Sequence, residues 1–154
     1  MKIIITEEQL KLIVEYKEKD NLIDFTHVNK SGFPAEEWDD MFLLMKEKKE
    51  RKGDKTYNGY YITGDVNLHK SDVTELNYLV RVGGMLDLEN TSIKSLPMLS
   101  EVGLSLYLRH TQIESLPMLS KVGLNLYLRG TPLSKTTTEE ELRKQINVEW
   151  VIYL

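Results

Sequence analysis

Hydrophobic and polar positions in the second half of the chain repeat in one register, at a spacing of 20 residues. Residues 84–103 read GMLDLENTSIKSLPMLSEVG, and residues 104–123 read LSLYLRHTQIESLPMLSKVG. Leu86/Leu106, Leu88/Leu108, Thr91/Thr111, Ile93/Ile113, Leu96/Leu116, Pro97/Pro117, Leu99/Leu119, Val102/Val122 and Gly103/Gly123 coincide. The pattern continues upstream through Val66, Leu68, Ser71, Val73, Leu76, Leu79, Val82 and Gly83, and downstream through Leu126, Leu128, Thr131 and Leu133. Self-similarity at a fixed short period is the mark of a stacked repeat. Leu106-Tyr107-Leu108 alternates with period two, so both leucines point to one side of a short strand and the tyrosine to the other. The apolar residues that follow are irregularly spaced and broken by Pro117 and Gly123, which excludes a regular helix and predicts an extended or 3₁₀-like return. Each coil is therefore expected to hold one strand, a turn and a return leg. Stacked coils share a core that one coil cannot build alone, with neighbouring strands ~4.8 Å apart in a parallel sheet. Ser71, Thr91, Thr111 and Thr131 form a polar ladder at the corner, their hydroxyls bonding one another or the turn backbone.

The first 63 residues do not repeat. Thr6 to Gln9 has the spacing of a capping box, followed by Leu10, Ile13 and Val14 at helical intervals, which predicts a helix over 7–19. A second helix is expected to begin at Pro34, a residue suited to the first helical position, and to end at Gly53. Its apolar stripe is Trp38, Met41, Phe42 and Met45; acids lead and bases follow, as the helix dipole favours. Such a segment would cover the terminal coil and its strand edge. At the other end, Thr138 and Glu141 form a second capping box opening a helix to about Gln145. Val148–Leu154 then aligns with Val122–Leu128, predicting a last strand parallel to that of Tyr127, with Ile152 and Leu154 inward. The organisation expected is a helical capping region over 1–63 and a solenoid with its C-terminal cap over 64–154, in one compact unit.

The run L-x-L-x-x-T-x-I/L resembles the strand half of leucine-rich repeats, and S-L-P-x-L is similar to the return leg of their short bacterial subclass. Thr stands where that family usually has Asn or Cys, and Gly83, Gly103 and Gly123 fall where its first leucine would lie. These departures point to a flatter stack than a horseshoe. The resemblance implies an α+β fold: a short leucine-rich-repeat-like parallel β-solenoid with a helical N-terminal cap and a short C-terminal capping helix plus final strand. The MKIIITE start, the few repeats and the short helical tail are also similar to small proteins of bacteriophages and their bacterial hosts, a resemblance that implies a viral protein modulating a host or defence protein.

If the leucines face inward, the alternate residues form outward columns. One reads Asn67, Asp87, Tyr107, Tyr127, Tyr153; the next His69, Glu89, Arg109, Arg129; a third Asp65, Met85, Ser105, Asn125. Tyrosine and arginine most often anchor interfaces. The candidate binding surface is therefore Tyr107, Tyr127, Tyr153, Arg109 and Arg129, with Asp87, Glu89 and His69 alongside. Because the ring of Tyr127 is assigned outside the core, replacing it with Ala is expected to leave folding nearly intact.

Composition narrows the function classes. The 154 residues include no cysteine, which removes disulfides, thiolate catalysis and cysteine-bound zinc. A net charge of −4 argues against a dedicated nucleic-acid binder, and the basic run Lys46–Lys55 is interleaved with Glu47 and Glu50 as on a solvated helix end. The opening apolar run, Ile3 to Ile5, is shorter than a signal peptide or membrane span requires, so a cytoplasmic protein is expected. His27, His69 and His110 lack ligand spacing to one another, Asp87 and Glu89 carry no mark of an acid/base pair, and no phosphate-binding glycine motif occurs. No catalytic residue, metal or cofactor is expected. The reading is a non-enzymatic protein-binding module, with two alternatives: a self-associating structural protein, and a protein sequestering a small anionic ligand between Arg109, Arg129 and the tyrosines.

Overall fold

The alternation at Leu106–Leu108 forms a strand, but each repeat carries a second one that the sequence pattern hides in the return leg. In the computed structural model, which describes residues 21–53 and 56–154, the strands are β1 (Leu22–Asp24), β2 (Gly59–Ile62), β3 (Val66–Asn67), β4 (Leu79–Val82), β5 (Leu86–Asp87), β6 (Glu101–Val102), β7 (Leu106–Tyr107), β8 (Lys121–Val122), β9 (Leu126–Tyr127), β10 (Asn147–Val148) and β11 (Ile152–Tyr153). They make two sheets, both parallel: one ordered β1-β2-β4-β6-β8-β10, the other β11-β9-β7-β5-β3. The protein is thus α+β, a solenoid-like stack of parallel strands in which successive coils lie side by side. The helix predicted over 7–19 falls outside the described residues.

Glycine at the corner between the sheets permits the stacking. A Cβ on Gly103 would lie 2.0 Å from the carbonyl oxygen of Gly83, and one on Gly123 1.9 Å from that of Gly103. The amides there donate across coils, Gly103 to Val82 at 2.8 Å and Gly123 to Val102 at 3.0 Å. Close backbone approach, and no special dihedral, is what these glycines supply. This explains why no leucine stands at these positions.

With that register set, Val66, Leu86, Leu106, Leu126 and Ile152 pair in sequence across β3, β5, β7, β9 and β11, and all five are buried. Leu88, Leu108 and Leu128 form the second buried column, with Val73, Ile93, Ile113, Leu76, Leu96, Leu116, Leu79, Leu99 and Leu119 closing the core from the return legs. Two ends of the column depart from expectation. Leu68, on the first coil, is only partly buried, and Leu154, expected inward, is 41% exposed. Each lies in a terminal coil, where stacking covers one side only. The corner hydroxyls of Thr91, Thr111 and Thr131 bond not to each other but to the carbonyls of Leu88, Leu108 and Leu128, each at 2.7 Å.

The segment before residue 64, expected to be helical, also contributes β1 and β2 to the larger sheet. Its helices are α1 (Thr26–Lys30), a 3₁₀ turn (Ala35–Glu37) and α2 (Trp38–Arg51). Pro34 does not open α2 as expected: its ψ of 129° is extended, and the 3₁₀ turn intervenes. The stripe Trp38, Met41, Phe42 and Met45 is buried as expected, around Tyr60, which stacks on Phe25 at 4.4 Å and meets Trp38 edge-on. Asp39 pins α2 to the coil below, accepting from the Tyr60 hydroxyl at 2.9 Å and the Asn77 amide at 2.6 Å. Burial pushes this carboxyl above its ordinary range, against the pull of those donors. At the far end, α3 (Pro132–Thr136), unforeseen, is capped by the Thr131 side chain. Then α4 (Glu139–Gln145) opens with the expected Thr138–Glu141 capping box. The last segment is two strands, β10 and β11, since Glu149–Val151 repeats the corner; both keep the expected register, Val148 against Val122 and Tyr153 against Tyr127.

Two substitutions test the stacking. Leu106→Ala is expected to cost about 2–5 kcal/mol, as for a truncated core leucine. Gly103→Ala is expected to cost about 1–3 kcal/mol or more through overpacking. Gly64→Ala, where an added Cβ meets nothing within 4 Å, should stay within about 0.5 kcal/mol of the parent in urea unfolding. Equal midpoints for Gly103→Ala and Gly64→Ala would remove the close-approach explanation.

Candidate functional site

The register that buries the leucines aligns the residues between them on the outer face of the five-stranded sheet. Asn67, Asp87, Tyr107, Tyr127 and Tyr153 are paired neighbours along it. The tyrosine rings stack almost parallel, with centroids 4.7 Å apart between Tyr107 and Tyr127 and 4.6 Å between Tyr127 and Tyr153. The Arg109 guanidinium lies over the Tyr127 ring at 4.3 Å, a cation–π contact. Arg129, two residues beyond Tyr127, is exposed, and Tyr153 presents 43% of its surface. Tyr127 sits between two rings and under a guanidinium, so it is half-buried. That desolvation, with Tyr107 and Tyr153 adding to it and Arg109 opposing, holds its hydroxyl above the ordinary tyrosine range, and it stays protonated near neutrality.

The other end of the face is acidic. The Asp87 carboxylate accepts from the Glu89 amide at 2.9 Å, and Asn67 accepts from the His69 amide at 3.1 Å, so each of these turns is closed by its own side chain. Glu89 Oε1 is buried and lies 3.3 Å from Arg109 Nη1, in ion-pair rather than hydrogen-bond geometry. His69 Nδ1 stands 3.8 Å from Asp87 Oδ1 and 4.0 Å from Glu89 Oε2. No metal ligands were expected from the sequence, yet the fold gathers an imidazole and two carboxylates here. They come from adjacent coils, 18 and 20 residues apart, so local ligand spacing could not reveal them; reading down the columns could have. All eight candidate residues therefore share one face, divided into a Tyr/Arg half and a His/Asp/Glu half with Arg109 between.

The third column is structural. Asp65 accepts from the Met85 amide at 2.8 Å, Ser105 from Asn125 at 3.3 Å and Asn125 from Val151 at 3.1 Å, tying coil to coil. The six-stranded sheet instead carries a charge ladder: Glu101 lies 3.6 Å from Arg81 and 3.2 Å from Lys121. On α2, Lys46 pairs with Glu50 at 3.6 Å, Arg51 with Glu47, and Lys49 lies over the Tyr57 ring at 4.8 Å, so this basic run is partly compensated from within. Among the described residues, no helix is long and apolar enough to cross a membrane. No protein-family model, curated protein or solved structure matches the chain.

Contrary to the expectation of an intact fold, Tyr127→Ala removes two ring stacks and a cation–π contact. It should lower stability by about 1–3 kcal/mol, each aromatic pair being worth roughly 0.5–1.5 kcal/mol. Tyr153→Ala, with one stack, should lose less than half as much. Thermal unfolding of the two variants checks the order; Tyr153→Ala as the costlier change would contradict the stack.

Proposed function

We propose that the chain is a non-enzymatic protein-binding module whose contact surface is the Tyr/Arg half of the five-stranded sheet. The observation that carries this reading is the continuous stack Tyr107–Tyr127–Tyr153, with Arg129 exposed two residues beyond Tyr127. A stacked row on a sheet is already ordered, so little side-chain freedom is lost on contact. Aromatic rings and arginine are the groups that dominate interface energetics when covered. The twenty-residue coil supports a short leucine-rich-repeat-like solenoid as the scaffold, capped by α1 and α2 at one end and α4 at the other. We extend the reading, as a proposal, to a cytoplasmic modulator of a host protein.

A second reading, self-association, draws on β11, an outer strand of its sheet, where Trp150 is 60% and Val151 42% exposed. Sequestration of a small anion is weaker. Arg109 is already engaged by Glu89, and Asp87 adds negative charge on the same face.

Arg129→Ala should fold like the parent and Tyr153→Ala should remain folded with only the loss of its one ring stack, and each should reduce retention of a stoichiometric host protein by about 30-fold, the equivalent of roughly 2 kcal/mol for an anchor. For Arg129→Ala the loss should shrink as salt is raised. Quantitative capture on the immobilised parent and variants, with sedimentation velocity alongside, decides it. A retained protein indifferent to both substitutions would move the surface elsewhere, and concentration-dependent dimers of the parent alone would favour the second reading.

A further inference from the structure

We infer that His69, Asp87 and Glu89 form a binding site for one divalent transition-metal cation of the zinc class, at the acidic end of the five-stranded sheet. One donor atom from each lies within 4.8 Å of the other two. The histidine Nδ1 is 3.8 Å from Asp87 Oδ1 and 4.0 Å from Glu89 Oε2, beyond hydrogen-bonding reach. The three donors therefore face a common gap instead of pairing with one another. Ligands held at about 2.0–2.2 Å from a zinc ion stand roughly 3–4 Å apart, so small side-chain rotations close the set.

The surroundings are those of a supported site. The Leu68 amide donates to the Asp87 carbonyl at 2.8 Å and the Lys70 amide to the Glu89 carbonyl at 3.0 Å, so the backbone on both sides of His69 is tied to the strand bearing the carboxylates. Asp87 Oδ1 is oriented by the Glu89 amide, and Arg109 engages Glu89 Oε1, leaving Oε2 turned toward the imidazole. Such outer partners orient ligands and tune affinity. The side chains of Asp87 and Glu89 are only 19% and 15% exposed, so two carboxylates are largely withdrawn from water while one guanidinium offsets one of them. A cation supplies the missing positive charge. One imidazole with two carboxylates suits zinc, cobalt or nickel, whereas calcium and magnesium favour all-oxygen sets. His69, at 36% side-chain exposure, leaves a coordination position open to solvent.

The test is titration of the full chain with zinc chloride near neutral pH, followed by calorimetry, with cobalt(II) absorption as a second probe. One zinc per chain is expected. His69→Gln and Asp87→Asn should each weaken it by about tenfold or more, while circular dichroism and melting stay close to the parent. His110→Asn, which alters an exposed histidine outside the cluster to the residue found at the equivalent Asn90, should leave it unchanged. Magnesium should not compete. Absence of saturable zinc binding, parent-like zinc affinity in His69→Gln and in Asp87→Asn, or magnesium binding as tightly as zinc would each overturn the site and leave His69 as an ion-pair partner of the two acids.

Discussion

At the corner between the two sheets the backbones of successive coils meet without room for a side chain, and the rest of the molecule follows from that contact. Gly83 sits against Thr63, Gly103 against Gly83 and Gly123 against Gly103, each with its predecessor's carbonyl where a Cβ would be. The fit recurs at one spacing, so it holds every coil to the same register. Because strand side chains alternate, a slip of one residue would turn the leucine column outward and the tyrosine column inward. Close approach at the corner thereby decides which residues are core and which are surface several positions downstream.

The opposite end of each short strand bends under a second constraint. Lys70, Asn90 and His110 all adopt positive φ, between 56° and 57°, and Gly130 takes the place in the next coil at 78°. Asn and Gly accept this region readily; a lysine held there costs of order 1–3 kcal/mol, which stacking must outweigh. The residue that follows is Ser or Thr in every coil, and the threonines return their hydroxyls to the carbonyl three residues back. Of the two bonding patterns open to that corner, hydroxyl to hydroxyl or hydroxyl to turn backbone, the threonines adopt the second, which makes it a series of self-contained turns. Each coil closes itself at this corner, and the coils bind one another through backbone, leucines, the side chains of Asp65, Ser105 and Asn125, and the tyrosine stack.

These two constraints explain what was legible. Leu86, Leu106 and Leu126 could be read as a buried column because period two and period twenty agree on them, and the Thr138–Glu141 box because its chemistry is local. The second strand of each coil was not, since β6 and β8 are two residues long and carry Glu101 or Lys121 beside one valine, too short for alternation to register. Asp39 read as an acid at a helix start; its role in fastening α2 depends on Tyr60 and Asn77, which only the fold brings near. The tyrosine column was visible by counting, but its stacking was not, so Tyr127 looked freer than it is. His69 lies 18 and 20 residues from Asp87 and Glu89 and meets them only when adjacent coils are laid side by side.

Inward positions are held to leucine, isoleucine or valine by packing, and the corner to glycine by space. The outward columns carry no such demand, so their composition is where chemistry specific to this chain can be written. It changes along the stack: an imidazole and two carboxylates on the first coils, three tyrosines and two arginines on the last. Arg109 belongs to both halves, with one face of its guanidinium on the Tyr127 ring and one nitrogen toward Glu89. A guanidinium is planar and keeps its charge, so it can stack and pair at once, which a lysine at this position could not. Anything that draws Glu89 away from Arg109 alters what lies over Tyr127, and anything that lands on the tyrosines alters how firmly Glu89 is held. The two halves of the face are joined by one side chain, at ion-pair and stacking distances and with no movement of the coils.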